Sequence, residues 1–120
     1  MGTGDFFSKK QKKEGFRATN RLVKTIVEEL KSYNPEKIIL FGSAVRDEFD
    51  ENSDLDFLLI KKTKKRMVER IGDVLNCLKT YDVPVEPIVY TPAEMEKMKK
   101  EGRLFIENIL KEGKLVYVGK

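Results

Sequence analysis

Apolar residues return at three- and four-residue spacing at Leu22, Val23, Ile26, Val27, Leu30 and Tyr33. This spacing predicts an amphipathic helix from about Glu14 to Tyr33, stopped by Asn34-Pro35 and packed on a sheet. Lys37 to Phe41 carries four consecutive apolar residues before Gly42, which predicts a strand covered on both faces. Residues 43–53 are a polar connection that opens with a short helical turn. Asp54 to Ile60 is the second predicted strand. Its alternation puts Asp54, Asp56, Leu58 and Ile60 on one face and Leu55, Phe57 and Leu59 on the other.

A helix is expected from about Lys64 to Thr80, with Thr63 as its cap and Met67, Ile71, Val74, Leu75 and Leu78 as its buried stripe. Val83 to Tyr90 reads as a third strand. Pro84 and Pro87 within it cannot donate to a ladder, so this strand is predicted at a sheet edge or bulged. Thr91-Pro92-Ala93-Glu94 starts another helix: Thr91 caps, Pro92 takes the first helical position and Glu94 completes a capping box. A break near Gly102 precedes a helix to about Lys111, and Leu115 to Val118 is a final short strand. The order predicts an α/β (α+β) domain over residues 14–120, a small mixed β-sheet flanked by helices. Residues 1–13 carry Lys9, Lys10, Lys12 and Lys13 and read as a basic flexible arm.

Composition narrows the chemistry mainly by what is missing. The 120 residues contain no His, which excludes a Ser-His-Asp triad, a Cys-His dyad and any His-based metal site. A single cysteine, Cys77, excludes an intrachain disulfide and a CxxC motif. Neither a membrane span nor a signal peptide fits the sequence, so a cytoplasmic location is expected. Catalysis, if present, falls to carboxylates, hydroxyls, Lys, Arg, Tyr or a carboxylate-held metal.

Such a carboxylate group is visible. Asp54 and Asp56 stand two apart on a strand, their Cα atoms about 6.5 Å apart, so both side chains can converge on a divalent cation. Asp56 starts where Leu58 and Ile60 begin a core face, and a desolvated carboxylate without a partner is costly. Gly42-Ser43 closes the preceding strand. If the two strands are antiparallel neighbours, Ser43 lies beside the aspartates, and a glycine, a hydroxyl and the free N–H groups of a following turn suit a phosphate. Glu86 is the acidic residue inside the third strand and the candidate third carboxylate.

Gly42-Ser43, ten intervening residues and Asp54-Leu55-Asp56 form the GS-x10-DxD pattern, in which the chain resembles the DNA polymerase β-like nucleotidyltransferases. Over roughly residues 20–118 it is similar to their smallest members, the minimal nucleotidyltransferases often paired with an all-helical HEPN protein as a toxin–antitoxin system. The resemblance implies that Gly42 and Ser43 bind the phosphates of ATP or another nucleoside triphosphate. It implies that Asp54 and Asp56 hold two Mg²⁺ ions, or Mn²⁺, and that Glu86 completes the catalytic and metal site. It also implies transfer of AMP to a protein hydroxyl, typically a tyrosine of the partner. Arg46 and Ser53 are further candidates for the nucleotide, Ser53 being equally suited to a turn. Two departures stand out: Val45-Arg46-Asp47 replaces the Ala-Arg-Gly of many relatives, and the third acid is Glu86 where Asp is more common.

Plainer readings accompany these. Asp47, Glu48, Asp50 and Glu51 suit a solvated acidic loop, Glu86 an exposed edge-strand acid, and the basic clusters solvated faces. Three functions therefore compete: a metal-dependent nucleotidyltransferase acting on a partner or within a homo-oligomer, an antitoxin with a decayed site, and a nucleic-acid binder. The last is suggested by an isoelectric point of ≈ 9.1. A net charge of +4 supports it weakly.

Overall fold

The computed structural model describes residues 9–46, 54–80 and 83–119, with side chains from Asn20 onward. Helix α1 (Lys9–Leu30) is followed by a 3₁₀ turn (Lys31–Tyr33) and strand β1 (Lys37–Phe41). A second 3₁₀ turn (Gly42–Val45) precedes β2 (Leu55–Ile60), α2 (Met67–Leu75) and β3 (Val85–Tyr90). Helices α3 (Pro92–Lys100) and α4 (Leu104–Glu112) and strand β4 (Lys114–Val118) complete the order. Among the described residues no helix is long and apolar enough to cross a membrane.

The strands form one sheet in the order β3-β2-β1-β4, with β1 antiparallel to β2 and β4, and β2 parallel to β3. Helices cover both faces, as the unbroken apolar run of β1 predicts. On one face Ile38, Leu40, Phe57 and Leu59 pack with Val23, Ile26, Val27 and Leu30 of α1 and Val74 of α2. On the other, Ile39 and Leu58 pack with Met95 of α3 and Ile106 and Ile109 of α4. β3 lies at an edge, where Pro87 costs no ladder hydrogen bond to a further strand, and Pro84 stands just before it.

Local signals near Thr91 and Asn34 act as predicted. Thr91 Oγ1 accepts from the Glu94 N–H at 3.1 Å, and the Glu94 carboxylate accepts from the Thr91 N–H at 2.9 Å. Asn34 adopts a left-handed conformation (φ 64°) that ends the 3₁₀ turn. Two helices differ from expectation. α1 starts at Lys9, five residues before Glu14, because Lys, Gln, Glu, Arg and Ala dominate this stretch and all favour helix. α2 is shorter than predicted, beginning after Arg66 and ending at Leu75. Thr63 instead accepts from the Lys65 N–H in a local turn, and Glu69 accepts from the Arg66 N–H. Beyond Asn76, Glu29 of α1 captures the N–H groups of Lys79 and Thr80 and the Thr80 hydroxyl, which draws those groups out of any helix.

The inward face of α2 also differs. Leu75, predicted in the buried stripe, is 44% exposed, while Arg70 is buried. Its guanidinium donates to both oxygens of Glu94 at 2.8 and 3.1 Å, to the Val89 carbonyl at 3.0 Å and to the Lys65 carbonyl at 2.8 Å. The forked pair pins α2 to the start of α3 and the end of β3. Arg70 beside it holds the Glu94 carboxyl below its ordinary value.

Because the Glu94 value is lowered on folding, its contribution is complete above the unfolded Glu value of about 4.3 and is lost as pH falls through the folded one. Glu94→Gln is expected to lower stability at neutral pH by about 1–2 kcal/mol, less than a fully buried pair because the Glu94 side chain is 42% exposed. Urea unfolding at pH 7 and pH 3.5 checks this: the variant should lose less between the two pH values than wild type does.

Candidate active site

The end of β1 is where the sequence stops being able to carry a side chain. Gly42 has φ 82°, a left-handed conformation, and a Cβ placed on it would collide with the Asp56 carboxylate. Both backbone and space therefore demand glycine here. The chain then turns through Gly42–Val45, with the Arg46 N–H donating to the Ser43 carbonyl at 3.1 Å. Ala44 is buried beneath this turn, while Ser43 is partly exposed on it.

Register brings the carboxylates to the same place. Phe41 pairs with Asp56 across the antiparallel β1–β2 ladder, and Asp56 pairs with Glu86 across the parallel β2–β3 ladder. Phe41, Asp56 and Glu86 thus form a row across three adjacent strands on the face covered by α3 and α4. Asp54 stands two residues before Asp56, and the Leu55 N–H between them donates to the Pro84 carbonyl at 2.9 Å, fixing this end of β2 to the entry of β3. The antiparallel neighbour relation expected for Gly42-Ser43 and the aspartates is the one observed.

These acids perturb one another. Burial pushes the Asp56 carboxyl up, the Asp54 charge adds to this, and the Arg46 guanidinium opposes it. Glu86, exposed at the sheet edge, is also raised, first by a hydrogen bond to Asp54 and then by the charges of Asp54 and Asp56. Among the described residues no group of three or more His, Cys, Asp or Glu side chains forms a ready-made metal cage. Asp56 is half-buried there and Glu86 exposed.

Arg46 reaches toward α4, its Nη1 3.7 Å from Glu112 Oε1. Ser53 and the acidic stretch Asp47, Glu48, Asp50 and Glu51 lie outside the described residues. Beside the row opens a cavity of ≈ 400 Å³ lined by Asp56 and Glu86 and by Phe41, Val85, Pro87, Ile88 and Phe105. Phe105 was not singled out by the sequence reading. Its signal lies in α4, where Leu104, Phe105, Ile106, Ile109 and Leu110 supply more apolar residues than one buried face uses.

Two outcomes follow for the metal-free protein. A carboxyl whose folded value is raised contributes stability at low pH that is lost as pH rises through that value. Asp56→Asn removes the charge at similar volume. It is expected to melt higher than wild type in EDTA at pH 7, by an amount worth up to about 1 kcal/mol, or roughly 4–8 °C. It should also gain less than wild type on moving from pH 7 to pH 5. Gly42→Ala should melt lower, by at least the roughly 1–2 kcal/mol of a left-handed alanine. Differential scanning calorimetry measures all three proteins.

Comparison with known proteins places this geometry. Residues 24–120 match the family described as "Polymerase beta, Nucleotidyltransferase". A Methanocaldococcus jannaschii protein named "Putative protein adenylyltransferase" is 34% identical over 102 residues, covering 81% of this chain and 96% of the relative. A second protein of that organism with the same description is 34% identical over 58 residues, covering 46% of this chain and 59% of the relative. The crystal structure of a "putative nucleotidyltransferase" from Sulfolobus solfataricus shares the fold, with a TM-score of 0.62 at 24% identity, over 89% of this chain and 86% of that one. The glycine turn and carboxylate row thus sit in a chain that belongs to the polymerase β nucleotidyltransferase family, a family of nucleotidyl-transferring enzymes.

Proposed function

We propose that this chain transfers AMP from ATP to a hydroxyl on a second protein, with Asp54, Asp56 and Glu86 as its catalytic acids. The observation that carries the proposal is the row itself: a glycine turn whose missing Cβ makes room for Asp56, with Glu86 at the same level on the next strand. The description "protein adenylyltransferase" borne by both Methanocaldococcus jannaschii relatives motivates the choice of AMP and of a protein acceptor.

The donor set fits a hard divalent cation. It is all oxygen, and burial and the neighbouring carboxylate charges raise Asp56 while Asp54 and Asp56 raise Glu86, a strain that a cation would relieve. Mg²⁺ commonly takes one or two carboxylates and completes its shell with substrate phosphates, so a closed protein cage is not required. Asp54, Asp56 and Glu86 would hold Mg²⁺, with Mn²⁺ as a substitute. When bound, the ions supply charge neutralisation at the phosphates and the pyrophosphate leaving group.

The chain's own groups do the rest. Gly42 and Ser43 offer backbone N–H groups and a hydroxyl to the phosphates, and the Arg46 cation stands near the same turn. Glu86, exposed at the edge of the sheet, is placed to accept the proton of an incoming hydroxyl. The acceptor oxygen then bonds to the α-phosphorus as the bond to pyrophosphate breaks. A cavity of ≈ 400 Å³ open to solvent is too small to enclose both substrates, which favours an acceptor brought by a partner. By resemblance to the minimal nucleotidyltransferases, we assign that partner to the HEPN-type helical proteins and this chain to the antitoxin role.

Calorimetry and labelling test the proposal. ATP should bind with Mg²⁺ or Mn²⁺ and not in EDTA, and α-labelled ATP should mark a co-purified partner. Asp54→Asn and Asp56→Asn should abolish the label. Equal ATP affinity with and without metal would falsify the metal assignment. A partner that stays unmodified with ATP and Mg²⁺ would leave an antitoxin that works by covering its toxin.

A further inference from the structure

Among the described residues, the acidic lining of the cavity beside the carboxylate row is Asp56 and Glu86. The side chains that complete it, Phe41, Val85, Pro87, Ile88 and Phe105, are all apolar. Phe105 stands in the first turn of α4 and remains 49% exposed, although its neighbours Ile106 and Ile109 are buried and already fill the core beneath the helix. It meets Phe41 edge-to-face, with ring centroids 6.0 Å apart and planes at 86°. Such a contact orients the two rings and leaves at least one face of each uncovered by the pair. Packing explains the orientation of Phe105 but not its exposure.

The geometry points to this slot as the subsite for the nucleobase of the donor nucleotide, stacked on Phe105. The inference rests on the nucleotidyl-transfer reading above and assigns it a residue that the glycine and carboxylate motifs do not contain. Phe41 is the chain neighbour of Gly42, so the slot adjoins the turn offered to the phosphates. Asp56 and Glu86 form its near rim, so a nucleotide whose α-phosphate reaches them has the apolar walls beside it for its nucleoside. Neighbouring strands are about 4.8 Å apart, so the row from Phe41 through Asp56 to Glu86 spans about 10 Å. Away from the rim none of the described lining side chains carries a hydrogen-bonding group. The base is therefore held by stacking area, a mode that tolerates different bases because every base has a π-face. The competing occupant is an acceptor side chain.

The test uses the full chain with Mg²⁺ and two probes, ATP and inorganic tripolyphosphate, which share the phosphates and differ in the nucleoside. Phe105→Leu keeps an apolar contact with Phe41 but removes the ring. It is expected to bind ATP at least about fivefold more weakly while binding tripolyphosphate as wild type does. The sequence contains no Trp. Phe105→Trp therefore introduces a single indole, which should retain ATP affinity and be quenched by ATP but not by tripolyphosphate. Circular dichroism establishes that both variants fold. Unchanged ATP affinity in Phe105→Leu, or equal weakening of both probes, overturns the base subsite; the first outcome returns the slot to the acceptor. Wild type that fails to bind ATP at all overturns the nucleotidyl-transfer reading instead.

Discussion

The geometry of the candidate site depends on the pairing of β2, which is antiparallel to β1 on one side and parallel to β3 on the other. Register in a sheet is all or nothing, because a slip of one residue sends every side chain to the opposite face. β2 is locked on both faces: Leu55, Phe57 and Leu59 are fully buried against one helical layer and Leu58 against the other. Once these residues are in place, Asp56 has no freedom to be anywhere but opposite Phe41 and Glu86. The acids are thus positioned by hydrophobic burial several residues away from them.

That precision has an electrostatic cost, which is confined to the end of the sheet. Asp56 is half-buried beside Asp54, and the Arg46 guanidinium opposes the resulting rise. Elsewhere the fold treats charge differently: Arg70 is buried, yet each of its three guanidinium nitrogens donates to Glu94, Val89 or Lys65. One charged group is satisfied within the chain and holds helices together. In the other set Asp56 and Glu86 are both raised, a perturbation that marks candidate functional sites.

Much of this was legible in the sequence, because the signals were local. The capping box at Thr91, the edge position of β3 from its prolines, and the shared face of Asp54 and Asp56 each follow from residues a few positions apart. The GS-x10-DxD spacing needed only the antiparallel pairing of two neighbouring strands to bring Gly42 beside Asp56. The misreadings have a common cause. α2 ends where it does because Glu29, far away in sequence, binds Lys79 and Thr80, and its inward face turns toward Arg70 because Glu94 waits on α3. Periodicity counts apolar residues, so it cannot register an arginine used as a core group. Phe105 escaped for the converse reason: in a pattern an exposed aromatic looks the same as a buried one.

The pairing of β1 with β4 adds a kinetic dimension. Lys37 meets Val118 and Ile38 meets Tyr117, so one edge of β1 finds its partner only across most of the chain, whereas its other edge meets β2 after a single connection. Loop closure over that distance adds little to the equilibrium cost, since the entropy grows only logarithmically with length. Its effect falls on rate, because non-local strand pairs are slow to form. The half of the sheet that carries the carboxylates is the half with the shorter closures, so its ladder has the smaller entropic barrier to assembly.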